Sequence, residues 1–437
     1  MNKGIQEIPL RRLVSQSLKE EVYHAHLSSG LDVYVLPRHE YHQKYAVFAT
    51  RYGSIDTAFV LRGQEQATLT PAGVAHFLEH KLFEGREGNV FEDFASLGAS
   101  VNAYTTYGLT SYLFSATDSF YPCLGLLVDF VQEPYFTKES VEKEQGIIAQ
   151  EITMYEDNSD FQVFSNLMQA LYQRNPVREK IAGTVESVHC ITPEVLYQCH
   201  GTFYHPGNMV LFAIGAIEPE KVARLVEEKL HNGNHSLQGE IRRLYPSEPI
   251  SVDKHRIDAQ MSVARPLCYI GFKDVRLKHG DELLKRQLAT SLTLQLLFGK
   301  TSALYNRLYE SGLIDATFDT YYTAEETFAH AVLGGSTPDP TKLEAAILAG
   351  LREARENGFT EEEFGRQKRK SIGGFLYALN SLEFIANNFV STHFRGSSLF
   401  AYLDILKKLT LEDVERSLEE QFKEELMAVS IIQPRLE

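Results

Sequence analysis

The spacing of apolar and polar residues divides the first half of the chain into short strands and longer helices. Apolar, β-rich runs bounded by turn residues predict strands at Leu31–Leu36 and Tyr45–Arg51. A strand pair is predicted at Ser100–Thr106 and Thr110–Thr117, joined through a Tyr-Gly turn. Helical periodicity and turn signals predict the other elements of this half. They are a helix at Pro71–Glu84, a short helix that ends at Gly98, helices at Ser119–Gln132 and Lys138–Asn158, further helix up to about Phe203, a strand at Met209–Gly215, and a helix at Pro219–Leu230.

A turn-rich, proline-interrupted segment then separates two series of elements. It begins after His231 and includes Pro246 and Pro249, which predicts a linker at residues 236–252 between domains at 1–235 and 253–437. The second series has a similar order, so the two halves resemble a diverged duplication. Its elements are a strand at Met261–Phe272, helices at Asp281–Phe298 and Ser302–Ser311, strands at Ile314–Tyr322 and Phe328–Gly335, helices to about Phe422, and a strand at Leu426–Gln433.

Composition narrows the class of protein. A chain of 437 residues exceeds the size at which one core keeps growing, which agrees with two domains. No apolar run is long enough for a membrane span, and the charged N-terminus lacks the pattern of a signal peptide. The four cysteines have no paired spacing, and the formal net charge of -15 disfavours binding to nucleic acid or anionic membranes. A soluble, cytoplasmic protein is expected.

The segment His76-Phe77-Leu78-Glu79-His80 carries the strongest chemical signal. In a helix, residues four apart lie on one face, so both imidazoles can reach one metal ion. The order is that of the inverted zinc-peptidase motif H-x-x-E-H, in which the glutamate is the general base. Because the pattern is only five residues long, a coincidence on the surface is the alternative interpretation.

A catalytic zinc needs a third protein ligand, and the helix predicted at Lys138–Asn158 offers two carboxylates for this role. Glu144 and Glu151 project into an apolar arc formed by Val141, Ile148, Ile152 and Tyr155 and extended by Ile147 and Met154. Carboxylates in a core-facing stripe are usually functional. We favour Glu151 as the metal ligand and Glu144 as a residue that orients a ligand or the zinc-bound water. If the helix is rotated, both are ordinary surface glutamates.

These residues together resemble the pitrilysin/insulinase family of zinc metallopeptidases, specifically the short-chain branch that includes mitochondrial processing peptidase and paired bacterial peptidases. The likeness covers nearly the whole chain and includes VEKEQGIIAQE, SLGASVNAYTTYGLTSY and FYHPGNMVLFAIG. It implies an α+β fold of two similar domains, each a mostly antiparallel sheet packed with helices, facing each other across a cavity. It also implies one Zn²⁺ per chain, held by His76, His80 and Glu151, with catalytic roles for Glu79, as base on a zinc-bound water, and for Glu144.

In that family, peptide substrate adds as an extended strand to an edge strand with the pattern N-A-x-T. Here this corresponds to Asn102, Ala103, Tyr104 and Thr105, which the resemblance implies as substrate-binding residues. An unpaired strand edge offers backbone groups that any peptide can pair with. Asn102 as a strand-end residue and Tyr104 as core filling are the structural alternatives.

The second domain departs from the family pattern. The family often has an arginine and a tyrosine seven residues apart that bind substrate, whereas here Arg307 is displaced and Asp315 falls near the tyrosine position. The resemblance then implies a heterodimer with a related, zinc-less subunit that supplies the pair. A homodimer or monomer that uses other residues is the alternative.

Other motifs add little. His24, His26, His39 and His42, and likewise His200 and His205, are interpreted as ordinary surface or core histidines, and the run RQKRK at 366–370 as a solvated helix face. No nucleotide-binding pattern is present. The best interpretation is therefore a zinc endopeptidase for peptides or unfolded segments. A non-catalytic scaffold subunit, or a zinc hydrolase acting on a small molecule, is the alternative.

Overall fold

The structure, a computed structural model, describes residues 8–61, 65–86, 88–231 and 241–435. It forms two compact units, each built from separate stretches of sequence. The first unit comprises Met1–Gln150, Lys180–Leu244 and Ala378–Phe394; the second comprises Glu151–Glu179, Tyr245–Tyr377 and Arg395–Glu437. The contiguous domains at 1–235 and 253–437 stay a prediction about where the two similar halves of the sequence divide.

The first unit contains a sheet in which seven described strands are ordered β1-β2-β3-β9-β4-β8-β7, and a smaller sheet ordered β10-β5-β6. Within the larger sheet only β3 and β9 are parallel. The strands are β1 (Arg11–Ser15), β2 (Glu20–His26), β3 (Asp32–Pro37), β4 (Lys44–Thr50), β5 (Ala58–Val60), β6 (Thr68–Leu69), β7 (Ser100–Thr105), β8 (Thr110–Ala116), β9 (Met209–Gly215) and β10 (Arg242–Arg243).

The second unit contains a sheet of five described strands in the order β11-β15-β12-β14-β13. Its only parallel pair among these strands is β11 with β15. The strands are β11 (Arg256–Met261), β12 (Leu267–Asp274), β13 (Asp319–Ala324), β14 (Ala329–Ser336) and β15 (Met427–Pro434).

The two sheets share one topology. The series β3-β9-β4-β8-β7 in the first unit corresponds, strand by strand and direction by direction, to β11-β15-β12-β14-β13 in the second. In both series the single parallel pair joins the strand of the series that comes first in sequence to the strand that comes last. The predicted α+β fold with two similar, mostly antiparallel sheets is confirmed.

Helices cover these sheets, and two of them come from the other half of the sequence. Helix α13, from the C-terminal half, packs on β4 and β9 of the first unit, whereas α5, from the N-terminal half, packs on β12 and β15 of the second. The helices are α1 (Val74–Lys81), α2 (Val90–Ser96), α3 (Phe120–Gln132), α4 (Lys138–Glu156), α5 (Ser159–Leu171), α6 (Val185–His189), α7 (Pro193–Phe203), α8 (Pro219–His231), α9 (Gly280–Phe298), α10 (Ala303–Glu310), α11 (Pro340–Asn357), α12 (Glu361–Ala378), α13 (Leu382–Phe394), α14 (Tyr402–Lys408) and α15 (Leu411–Gln421).

This exchange is reciprocal, because β4 and β9 occupy the places in the first sheet that β12 and β15 occupy in the second. Each unit thus receives the equivalent helix from the other half. It also explains the sequence of the central strands: β9 reads MVLFAIG and is buried throughout, as expected for a strand covered on both faces. The helix α3 packs on β4 as well.

Several predicted bounds differ from the observed ones. The strand predicted at Met261–Phe272 is wrong as a single element, since β11 ends at Met261 and β12 begins at Leu267. The helix predicted to start at Pro71 starts at Val74, because Gly73 has a φ of 94° and a Cβ there would lie 2.5 Å from the carbonyl oxygen of Ala182.

The predicted linker at 236–252 lies only partly within the described residues. Residues 236–240 fall outside them, while Arg242 and Arg243 form β10 and pair with β5. No helix in the part of the chain that the structure describes is long and apolar enough to cross a membrane.

Candidate metal centre

Helix α1 places two histidines one turn apart on the same face. The ring centroids of His76 and His80 are 4.6 Å apart. The opposite face is apolar and buried, with Val74, Phe77 and Leu78 almost fully covered. The histidine face is partly buried, so the imidazoles stand at the boundary between the core and the solvent.

Helix α4 brings two carboxylates to this histidine face. Glu144 is buried, and its Oε1 lies 3.0 Å from Nδ1 of His80. Glu151, two turns further along the same continuous helix, is partly buried. The predicted extension of the apolar arc is wrong, because Ile147 and Met154 are 43% and 60% exposed.

The donor atoms of His76, His80 and Glu151 converge. One ligand atom from each residue lies within 4.8 Å of the others, and no other such group of three was found among the described residues. Tetrahedral zinc with bonds of about 2.0–2.2 Å separates its ligand atoms by about 3.4 Å. Binding of zinc would require these atoms to approach by small side-chain adjustments, and two nitrogens with one carboxylate oxygen are a donor set that zinc accepts. The residues therefore fit a zinc ion.

Glu144 also determines which ring nitrogen of His80 carries the hydrogen. Its ionised carboxylate only accepts hydrogen bonds, so Nδ1 of His80 carries the hydrogen and Nε2 carries the lone pair. A histidine that donates its other ring N–H to a carboxylate is the usual arrangement around a metal. Glu144 thus orients His80 and leaves the ring lone pair on Nε2.

Burial also changes the pKa of the His76 imidazole. Removal from water, together with the nearby His80, lowers the pKa of His76 to about 3. The imidazole is neutral at physiological pH as a result, which is the form that donates a lone pair to a metal.

The predicted general base, Glu79, lies on the same face of α1. Its Oε2 accepts a hydrogen bond of 2.6 Å from the hydroxyl of Thr105, the last residue of β7. The structure thus links the residue predicted to activate water with a residue predicted to bind substrate.

The strand predicted to bind substrate, β7, is at the edge of its sheet among the described strands. Asn102 is exposed and its side-chain oxygen accepts the backbone N–H of Ala103 at 2.9 Å. Tyr104 is partly buried, and its hydroxyl donates to Oδ1 of Asn387 at 3.3 Å. Ala103 and Thr105 are partly buried as well. An accessible edge is the geometry that strand addition requires.

The residues near the expected arginine and tyrosine positions of the second half have other partners. Arg307 forms a two-pronged ion pair with Glu353, with Nη1 3.1 Å from Oε1. Asp315 accepts hydrogen bonds from the backbone and the hydroxyl of Thr317. Both therefore serve local structure in the second unit.

Four of the other histidines considered in the sequence analysis have protein partners rather than a metal-ligand geometry. His24 and His26 share one oxygen of Asp32, at 2.8 and 2.9 Å. His200 bonds the carbonyl oxygen of Val131, and His205 accepts the backbone N–H of Gly207. His39 and His42 are exposed. In the run 366–370, Gln367 is buried and Lys368 bonds two carbonyl oxygens near the end of α14, so the predicted solvated face is only partly correct.

Sequence reasoning missed one contributor to this site. Asn387 on α13 holds the hydroxyl of Tyr104 and also lies 3.4 Å from that of Tyr45. The two ends of the first contact are 283 residues apart, and nothing in the local pattern around Asn387 indicates it.

Comparison with known proteins agrees with these features. Residues 59–185 match the profile described as insulinase (peptidase family M16), and residues 191–371 match that of the peptidase M16 inactive domain. The histidine motif, Glu144 and Glu151 all fall within the first match.

Individual relatives extend the match over the whole chain. The chain is 45% identical to the uncharacterized zinc protease YmfH of Bacillus subtilis (strain 168), covering 96% of this chain and 98% of that protein. The crystal structure of an M16-like peptidase from Alicyclobacillus acidocaldarius has a TM-score of 0.91 and 39% identity, with 100% of both chains covered. A mitochondrial-processing peptidase subunit beta of Arabidopsis thaliana is 31% identical over 41% of this chain and 34% of its own. The chain therefore belongs to peptidase family M16, the insulinase family.

Proposed function

We propose that this chain is a zinc-dependent endopeptidase that cleaves peptides or unfolded segments held as an added strand on β7. One observation carries the proposal: the ligand atoms of His76, His80 and Glu151 lie within 4.8 Å of one another. A protein that served only as a scaffold has no physical reason to bring two imidazoles and a carboxylate together at a partly buried site. The names of its relatives as zinc proteases support the same chemistry.

His76, His80 and Glu151 would hold the ion, and Glu144 would keep His80 in the ligating tautomer. Zinc bound here supplies a Lewis acid that acidifies water and polarises the scissile carbonyl. Glu79, on the same helix face, accepts the proton of the attacking water and returns it to the leaving amine. The backbone of β7 aligns the peptide, since its outward N–H and C=O groups pair with an extended substrate.

The partner is a second part of the proposal. Arg307 and Asp315 are committed to Glu353 and Thr317, so neither matches the substrate-binding pair expected from the family. We propose that a related, zinc-less subunit supplies those groups, with a homodimer as the alternative. Cytoplasmic location remains a prediction.

The test is zinc-dependent cleavage of an internally quenched peptide library by the purified chain, alone and together with a zinc-less relative encoded in the same genome. Glu79→Gln should retain one zinc per chain and lose roughly 10²–10⁴-fold in kcat, the usual contribution of a general base. Glu142→Gln, an exposed change on α4, is the matched control and should leave cleavage unchanged. Cleavage that persists in Glu79→Gln, or that is absent with and without the relative, would refute the assignment.

A further inference from the structure

The contact between Thr105 and Glu79 has the form of a strong hydrogen bond. An ionised carboxylate has no hydrogen to give, so the Thr105 hydroxyl donates and Oε2 of Glu79 accepts, at 2.6 Å. Hydrogen bonds from a hydroxyl to a carboxylate at this distance are charge-assisted and stronger than neutral ones. One oxygen of the Glu79 carboxylate is thereby fixed in space.

Thr105 is itself held in place. It lies directly opposite Thr110 in the β7–β8 hairpin, and their hydroxyl oxygens are 3.3 Å apart. Thr110 is fully buried and donates to the backbone oxygen of Tyr52 at 2.9 Å. The strand pairing with Thr110 fixes the backbone of Thr105, and a β-branched side chain has few χ1 rotamers, so the Thr105 hydroxyl has few orientations besides the one that reaches Glu79.

The hairpin turn beyond Thr105 is also anchored. The N–H of Thr106 bonds the carbonyl of Leu109 at 2.8 Å, and the carbonyl of Thr106 accepts the N–H of Ser54 at 3.0 Å. At Gly53 the two segments approach so closely that a Cβ would lie 2.2 Å from the carbonyl oxygen of Tyr107. The strand end that carries Thr105 is therefore a rigid support.

The surroundings of the Glu79 carboxylate explain why such a support is needed. Burial raises the pKa of Tyr112 and Tyr204, and the charge of the nearby Glu79 carboxylate adds to this effect. Their hydroxyls bond each other at 2.8 Å. A partly buried carboxylate needs hydrogen bonds in place of those it would make in water, and such bonds also fix its orientation.

We propose that Thr105 is a positioning residue, whose hydroxyl orients the Glu79 carboxylate for proton transfer. This inference rests on the proposed peptidase function and adds a role to the substrate contact predicted for Thr105. The strand that receives the peptide and the base that activates water then share one anchor. A peptide that pairs with β7 is thus aligned directly with Glu79.

The test compares Thr105→Val, Thr105→Ser and the unsubstituted full-length chain in the peptide-cleavage assay, with zinc content measured on each preparation. Valine matches the shape of threonine and removes the hydroxyl, so kcat should fall roughly 10- to 100-fold while KM changes less than about threefold. Serine restores the hydroxyl and should bring kcat to within about threefold of the unsubstituted value. All three should contain one zinc per chain.

Thr323→Val is the matched control, since Thr323 is a partly buried threonine on β13, the equivalent edge strand of the second unit. It should leave kcat unchanged. Thr105→Ala carries the same expectation as valine and replaces it if the valine variant does not fold.

The outcomes separate this inference from the proposed function. If the unsubstituted chain does not cleave peptides, the function and the inference both fail. If it does, and Thr105→Val changes only KM, or Thr105→Ser is as impaired as valine, the positioning role is overturned while the peptidase function stands.

Discussion

Glu144 and His80 form a partly buried carboxylate–imidazole pair, with 3.0 Å between Oε1 and Nδ1. The pair joins two helices that are 64 residues apart in sequence and determines which nitrogen of His80 faces the candidate metal site. Orientation of a ligand by such a neighbour is worth about 10- to 100-fold in metal affinity.

Removal of this neighbour should weaken zinc binding. We expect Glu144→Ala to raise the Kd for zinc by roughly 10- to 100-fold, and Glu144→Gln, which keeps an acceptor oxygen but not the charge, to have a smaller effect. Competition with a chromogenic chelator measures both values. Glu142→Gln on the exposed side of α4 is the control, and equal affinities for all four proteins would contradict the orienting role.

The exchanged helix α13 should stabilise the first unit although it comes from the other half of the sequence. Phe389 is almost fully buried, and its ring centroid lies 4.4 Å from that of Phe212 on β9. Truncation of a buried phenylalanine costs about 3–5 kcal/mol. We expect Phe389→Ala to accelerate amide hydrogen exchange in β4 and β9.

Mass spectrometry of the peptides that contain β4 and β9 measures this effect. Glu383→Ala, an exposed change on the same helix, should leave their exchange unaltered. Faster exchange confined to β11–β15 would show that α13 does not support the first sheet.

A buried histidine in the second unit should make stability depend on pH. Burial lowers the pKa of His330 to about 3 from an ordinary value of 6.5, and its Nδ1 lies 2.9 Å from the hydroxyl of Tyr172. Between these two pKa values the unfolded chain binds a proton that the folded chain does not. The free energy of unfolding should therefore fall as the pH drops from about 6.5 towards 3, by roughly 1 kcal/mol per pH unit from this group.

Urea denaturation of the parent protein and of His330→Asn, at pH 4.5, 5.5 and 7.5, measures that contribution. Asparagine retains a polar group near Tyr172 but does not titrate, so the variant should lose stability less steeply on acidification. Identical slopes for the two proteins would contradict the assignment. Above pH 7 the two curves should run parallel.

The sequence predicted the local part of the site well. The spacing of His76 and His80 and the two-turn spacing of Glu144 and Glu151 follow from helical geometry alone, and the structure brings one atom from each of three of these residues together. The strand β7 was also predictable, since its hairpin has a clear turn signal, whereas its position at the edge of the sheet was implied only by the family resemblance. Periodicity predicts which face of an element is buried.

Periodicity does not predict which partner covers that face. The apolar stripe of α13, with Ile385 and Phe389, looks the same whether it packs on the sheet of its own half or on the other sheet. For the same reason, the sequence pattern did not predict the contact of Asn387 with Tyr104 or the hydrogen bond from Thr105 to Glu79. Bounds were missed where a backbone conformation, such as the positive φ of Gly73, delayed the start of a helix.

The reciprocal exchange of α5 and α13 has a consequence for synthesis on the ribosome. Translation runs from the N-terminus, so β4 and β9 emerge long before Leu382–Phe394, the segment that covers them. The nascent chain therefore cannot complete the folding of its N-terminal half until nearly the whole chain has been synthesised.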